Sequence, residues 1–61
     1  MNNVKCVVTS DIISCGGIII KEGTISDILE DYGDILWINP YIAEVGEEIP
    51  LPVFRSNINY L

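Results

Sequence analysis

The chain has 61 residues, enough for a single domain, and its hydrophobic fraction of 49% excludes intrinsic disorder. Nine acidic residues against three basic ones give a net charge of −6. The basic residues Lys5, Lys21 and Arg55 are spread along the chain, whereas nucleic-acid binding requires clustered cations. We therefore expect no DNA or RNA partner.

The sequence also argues against a membrane partner. Its longest apolar run, residues 18–20, is far shorter than the roughly 20 residues of a transmembrane helix. The N-terminal residues lack the pattern of a signal peptide. We expect a cytoplasmic protein, in which Cys6 and Cys15 stay reduced.

The first third of the chain predicts two strands and a loop. Apolar residues alternate from Val4 to Val8, which is typical of a strand with one buried face. A loop follows from Ser10, with residues 14–17 at its tip. Residues 18–20 are β-branched and predict a second strand, and Gly23 marks a turn over residues 21–24.

Residues 24–32 fit two structures. Ile25, Ile28, Leu29 and Tyr32 have the spacing of an amphipathic helix, which Gly33 would end. The alternative is a strand with a bulge near Ser26 and Asp27 that lets Ile25 and Ile28 both face inward. Residues 31–34 then form a hairpin loop.

The remaining residues predict extended structure. Residues 35–38 form a strand, Asn39-Pro40 ends it, and residues 43–48 form a second hairpin loop around Gly46. Residues 49–54 are extended. Pro50 and Pro52 cannot donate to a ladder, which places this segment at a sheet edge or in irregular structure. Residues 57–61 form a short last strand, or a 3₁₀ turn followed by one.

This order of turns resembles the SH3-like small β-barrels, and the match is best from Asp11 to Leu61. It rests on Lys21-Glu22-Gly23-Thr24, on Ile28-Leu29-Glu30, on Asp31-Tyr32-Gly33-Asp34, on Leu36-Trp37-Ile38, and on Gly46 with Ile49-Pro50. The resemblance implies an all-β fold, a small SH3-like barrel of about five strands. It favours the bulged strand over an α+β fold with a short helix at residues 25–32.

The resemblance says little about function, because one fold serves many functions. Eukaryotic SH3 domains bind proline-rich peptides in an aromatic groove. Trp37 matches the groove tryptophan and Pro50 the groove proline. The first strand lacks the groove tyrosines, however, and Val53 stands where the last of them would be. We therefore expect no proline-rich ligand.

Nothing in the sequence indicates catalysis or a cofactor. The chain has no histidine, the commonest general base and transition-metal ligand. Two cysteines fall short of the four ligands of a structural zinc site. The acidic residues cluster around the two predicted hairpin loops, where solvated carboxylates are the ordinary case. We predict no enzyme, no metal and no cofactor.

The leading functional hypothesis is a small non-catalytic interaction protein, such as a phage or bacterial accessory protein that binds and modulates a larger host protein. Its partner would be a protein, with a basic surface favoured by the acidic charge. The predicted contact residues are the aromatic Trp37, Tyr41, Phe54 and Tyr32 and the acidic Glu47 and Glu48.

The alternative hypothesis is a small-ligand or nucleotide-binding protein with its pocket at a homodimer interface. Its site would combine Asp11, Gly16 and Gly17, whose backbone could cradle a phosphate, with Trp37 as a stacking platform. Either hypothesis allows the protein to form a homo-oligomer, because small barrels have short exposed edges that can pair.

Overall fold

The computed structural model of the protein describes residues 4–14 and 16–61, and this part of the chain consists of strands, turns and one 3₁₀ turn. The elements are β1 Lys5–Val8, β2 Ile12–Ile13, β3 Ile19–Ile20, β4 Ile25–Asp31, β5 Ile35–Ile38, β6 Tyr41–Ile42, β7 Glu47–Glu48, β8 Leu51–Phe54, the 3₁₀ turn η1 Arg55–Asn57 and β9 Ile58–Tyr60. The predicted all-β fold is confirmed. The alternative helix at residues 25–32 is wrong, because β4 pairs with β1 on one side and with β5 on the other.

Five of the strands form one antiparallel sheet in the order β8-β5-β4-β1-β9. The other four form two short hairpins, β2–β3 and β6–β7, inserted between sheet strands. The main sheet thus has the predicted number of about five strands. Within the described ranges β8 and β9 are its two edges, and no ladder joins one edge to the other.

The hydrophobic core lies on one face of this sheet. Among the described residues, eight buried apolar side chains form it: Cys6, Val8, Ile20, Leu36, Ile38, Ile42, Val53 and Ile58. Strands β1 and β5 each bury every second residue. For β1 this agrees with the alternation predicted from the sequence. The two hairpins add Ile20 and Ile42 to the same core.

Strand β4 contains a β-bulge, but not at the predicted position. Its register with β5 shifts between Ile28, which lies opposite Ile38, and Glu30, which lies opposite Trp37. The extra residue is therefore Leu29, and the bulge is not near Ser26 and Asp27 as predicted.

The predicted inward direction of Ile25 is also wrong, since 58% of Ile25 is exposed. Ser26 is buried in its place. The Ser26 hydroxyl is satisfied there, because it donates to the Asp27 carbonyl at 2.9 Å and accepts the Asn39 amide proton at 2.7 Å. A serine can occupy a core position when its hydroxyl is hydrogen-bonded. The pattern of apolar residues alone predicted the neighbouring Ile25 at this position.

The turns and the last strand agree with the sequence. Tyr32 donates its amide to Ile35 across the β4–β5 hairpin, and Gly33 adopts a φ of +92° that favours glycine there. Pro52 lies in the edge strand β8, where the missing amide proton costs no ladder bond. Of the two endings considered, a 3₁₀ turn followed by a strand is the one observed.

Deleting Leu29 should leave the domain folded. Because Leu29 is the extra residue of the bulge, its removal keeps Glu30 opposite Trp37 and Asp31 opposite Leu36. The Leu29 side chain is 47% exposed, so we expect Leu29→Ala to cost about 1 kcal/mol or less. Urea unfolding followed by circular dichroism measures both variants. A deletion variant that is unfolded while Leu29→Ala is folded would show that Leu29 is not the extra residue.

Candidate functional site

Four apolar residues form a continuous exposed surface on the side of the sheet opposite the core. Ile35 and Trp37 alternate with the buried residues of β5, and Pro52 and Phe54 alternate with those of β8. The register places Ile35 opposite Phe54 and Trp37 opposite Pro52. We call these four residues the outer face. Phe54 is 61% exposed and Trp37 37%, so neither closes the core.

The outer face is too shallow for an enclosed small-molecule site. Ile35, Pro52 and Phe54 line an open depression of about 170 Å³. Small-molecule sites usually occupy roughly 300–1,000 Å³. Exposed aromatic side chains on a shallow apolar surface are instead typical of contacts between proteins.

Two carboxylates border the outer face. Glu30 lies directly opposite Trp37 on the neighbouring strand, and Asp34 lines a hollow with Phe54. Within residues 4–14 and 16–61, neither side chain takes part in a hydrogen bond or ion pair. Arg55 lines the same hollow as Asp34, but its guanidinium binds Asp31. The border of the outer face therefore carries two carboxylates that form no ion pair within the described residues.

A cluster of hydrogen bonds at one end of the sheet engages Arg55. Its Nη2 donates to both carboxylate oxygens of Asp31 at 2.8 Å, its Nε donates to the Gly33 carbonyl at 2.6 Å, and its Nη1 donates to the Tyr60 hydroxyl. The guanidinium carbon lies 5.5 Å from the centre of the Tyr60 ring. Because Arg55 follows β8 and Tyr60 belongs to β9, these contacts connect the two edges of the sheet through Asp31. We call Asp31, Arg55 and Tyr60 the arginine cluster.

The charges of the arginine cluster stabilise each other. The hydrogen bond from the Gly33 amide, followed by the bonds from Arg55, lowers the pKa of Asp31 below its usual value. The bond to Asp31, followed by that to Tyr60, raises the pKa of Arg55 further above its ordinary value. Arg55 therefore directs its charge to Asp31 rather than to the outer face.

Lys5, the other cation on the sheet, is also paired with a carboxylate. The Nζ of Lys5 lies 2.7 Å from a carboxylate oxygen of Asp27, and this hydrogen bond is the main reason that the pKa of Lys5 is raised. Lys21 directly follows β3 and lines a groove with residues 41–44. The described surface therefore has no cluster of free cations.

The structure does not gather all the predicted contact residues. Trp37 and Phe54 share the outer face, but Tyr41 lines a separate groove and Tyr32 lies 67% exposed in the β4–β5 turn. Glu47 and Glu48 form β7, and Glu48 accepts a hydrogen bond from the Asn39 side chain at 3.1 Å. The four predicted aromatic contact residues are thus divided among three places.

The separate groove lies between the two hairpins. It has a volume of about 340 Å³ and is lined by residues 19–21 and 24 on one side and by residues 41–44 on the other. Beside it, Ile13 and Ile19 face each other across β2 and β3 and are 74% and 41% exposed. We call this the hairpin groove.

In the loop site predicted at Asp11, Gly16 and Gly17, two of the residues form hydrogen bonds within the protein. Asp11 accepts the Glu22 amide proton at 2.8 Å, and the Gly17 amide donates to the Ser14 carbonyl at 2.9 Å. Gly16 is exposed, and Cys15 lies outside the described residues. Trp37 pairs with β4 and β8 rather than with this loop.

The described residues hold no group of three or more potential metal ligands. Cys6 is fully buried, and this burial raises the pKa of its thiol, which disfavours the reactive thiolate. No helix in the described part of the chain is long and apolar enough to cross a membrane.

Sequence reasoning missed Ile35 and Pro52 as members of the outer face. The signal was present, because a strand that buries Leu36 and Ile38 must turn Ile35 and Trp37 the other way. The pairing of β5 with β8, which brings Pro52 and Phe54 beside them, is a long-range contact that no local pattern encodes.

Comparison with known proteins adds no relative: no family model matches the chain, and no match was found among curated proteins or solved structures.

Asp31→Asn should destabilise the protein near pH 7, and the difference should disappear in acid. Because the pKa of Asp31 is lowered on folding, its charge stabilises the folded state above the unfolded pKa of about 3.9. This contribution is lost as the pH falls through the folded pKa, so the unfolding curves of parent and variant should converge between about pH 4 and pH 2.

Asp34→Asn is the matched control, since Asp34 lies in the same turn and its side chain makes no hydrogen bond in the described residues. Thermal unfolding at several pH values measures both variants. An Asp31→Asn deficit that stays constant down to pH 2, or an equal deficit for Asp34→Asn, would contradict this account.

Proposed function

We propose that this protein is a small non-catalytic interaction module that binds a larger protein through its outer face. The observation that carries the proposal is the position of Trp37 and Phe54, side by side on solvent-exposed strands and outside the core. Aromatic residues with this exposure are typical centres of protein interfaces. Their predicted role as contact residues is retained, together with Ile35 and Pro52.

The composition of the surface supports a binding role over an enzymatic one. The outer face contains apolar side chains and a proline, with carboxylates only at its border. The chain has no histidine to serve as a general base, and Cys6, the cysteine within the described residues, is buried.

Several finer parts of the proposal come from the sequence. We place the protein in the cytoplasm, as a bacterial or phage accessory protein of the SH3-like small-barrel type. Support for the barrel type comes from the turns on which the resemblance rests, since residues 31–34 and Gly46 both form hairpin turns. Tyr32, Tyr41, Glu47 and Glu48 lie away from the outer face and are secondary candidates.

Trp37→Ala should abolish capture of the partner, whereas Tyr41→Ala should not. A central aromatic residue of an interface contributes about 2 kcal/mol or more, a loss of affinity of roughly 30-fold. Tyr41 is a matched control for a second variant, Phe54→Ala, since these two side chains are 60% and 61% exposed. The measurement is an affinity pull-down of tagged protein from bacterial lysate, read by mass spectrometry.

Circular dichroism of each variant checks that it is folded. A protein retained by the parent and by Tyr41→Ala, but lost from Trp37→Ala and Phe54→Ala, would support the proposal. Retention by all four proteins would exclude the outer face as the binding surface. Loss only from Tyr41→Ala would move the function to the hairpin groove.

The hairpin groove supports a second candidate function, binding of a small ligand or nucleotide. Its volume of about 340 Å³ is within the usual range for such ligands, and it offers Tyr41 for stacking and Lys21 for an anionic group. A melting screen against nucleotides and metabolites tests it, since a ligand at 100 times its Kd adds about 2.7 kcal/mol of stability. Stabilisation that persists in Tyr41→Ala would place the ligand elsewhere.

A further inference from the structure

We propose that the outer face receives an arginine-bearing, cationic segment of the partner protein, which lies across β5 and β8 without extending the sheet. The inference rests on the proposed interaction function and specifies its partner. Three features of the described residues lead to it: the aromatic side chains, the unpaired carboxylates at the border, and the prolines of the edge strand.

The aromatic residues suit a guanidinium group. Trp37 and Phe54 present exposed ring surface on adjacent strands, with Ile35 and Pro52 completing the apolar area. Arginine stacks on aromatic faces through a cation–π interaction while its aliphatic stem packs on apolar neighbours. The protein already contains such a pair, because Arg55 lies over the Tyr60 ring.

The border of the outer face is complementary to a cation. Glu30 lies beside Trp37, Asp34 lies near Phe54, and both carboxylates are unpaired within the described ranges. The two cations of the sheet region are already bound, Arg55 to Asp31 and Lys5 to Asp27. Arg55 lines the same hollow as Asp34, but its guanidinium is held by Asp31, so an incoming guanidinium would meet two carboxylates that have no ion-pair partner.

The edge strand determines how the segment can lie. Pro50 and Pro52 have no amide proton, and their spacing of two residues directs both positions to the same side of the chain. In the edge strand β8 the Pro52 position lies on the free side, so a strand added there would lose the donors of Pro50 and Pro52. This loss favours recognition through side chains that contact the outer face over extension of the sheet.

A second copy of the chain is a poorer occupant. Each copy carries a net charge of −6, and a symmetric contact through the outer face would bring Glu30 and Asp34 of both copies close together. Like charges at an interface cost free energy unless they are paired.

The probe is a short peptide that alternates arginine with leucine, compared with the same peptide in which citrulline, which is uncharged and nearly isosteric, replaces each arginine. Trp37 is the only tryptophan of the chain, so its fluorescence reports directly on the outer face. We expect a saturable change in Trp37 emission with the arginine peptide, weaker at higher salt, and at least tenfold weaker binding of the citrulline peptide.

Two charge-matched variants locate the site. Glu30→Gln should weaken binding of the arginine peptide about two- to fivefold, which is the contribution of an exposed ion pair. Glu44→Gln removes the same charge from the β6–β7 turn, beside the hairpin groove, and should leave the affinity unchanged. Equal affinities for both peptides, or equal effects of the two variants, would overturn the proposal.

Sedimentation of the protein alone tests the second copy as occupant. A concentration-dependent dimer that Trp37→Ala abolishes would assign the outer face to self-association and overturn the proposal. A partner captured through Trp37 by a protein that binds both peptides equally would leave the interaction function standing and remove only the cationic segment. Binding of the arginine peptide without any captured protein would support the outer face as a site for a cationic segment. It would count against the proposed lysate partner.

Discussion

The single extra residue in β4 determines which side chains lie on each side of the sheet. Because Leu29 shifts the register by one, Glu30 lies opposite Trp37 and Asp31 lies opposite Leu36. A regular strand of the same sequence would place Leu29 opposite Trp37 and Glu30 opposite Leu36, and would turn Asp31 away from the side on which Arg55 binds it. The acidic border of the outer face and the arginine cluster therefore both follow from one β-bulge.

The outer face exists because the core is small. Eight buried apolar side chains fill one side of a five-stranded sheet, and the interior has no space for large aromatic residues as well. Trp37 and Phe54 are consequently left on the opposite side. Exposed aromatic area of this kind favours association with other molecules, which is why the fold and the proposed function are physically connected.

Local patterns in the sequence predicted much of this structure. Alternation identified the first strand, and glycine positions identified the hairpins. Pro50 and Pro52 limited residues 49–54 to a sheet edge or irregular structure. The helix-like spacing of residues 25–32 was misleading, because Ile25, Leu29 and Tyr32 are exposed and share no buried face. The grouping of Trp37 with Phe54, and the separation of Tyr41 from both, depend on which strands pair. Long-range pairing leaves no local signal, so the candidate site was predicted residue by residue but not as a surface.

The prolines of β8 make the two edges of the sheet chemically different. Strand β9 ends the sheet without a proline, whereas β8 carries Pro52 and is preceded by Pro50. In acid, where the carboxylates are protonated and no longer repel one another, pairing of sheet edges between molecules would find its hydrogen-bond donors on the β9 side. Two molecules could then pair through their β9 edges, but each would present to a third molecule only its β8 edge, where Pro50 and Pro52 remove two donors. The same two residues thus act as a one-sided stop against polymerisation.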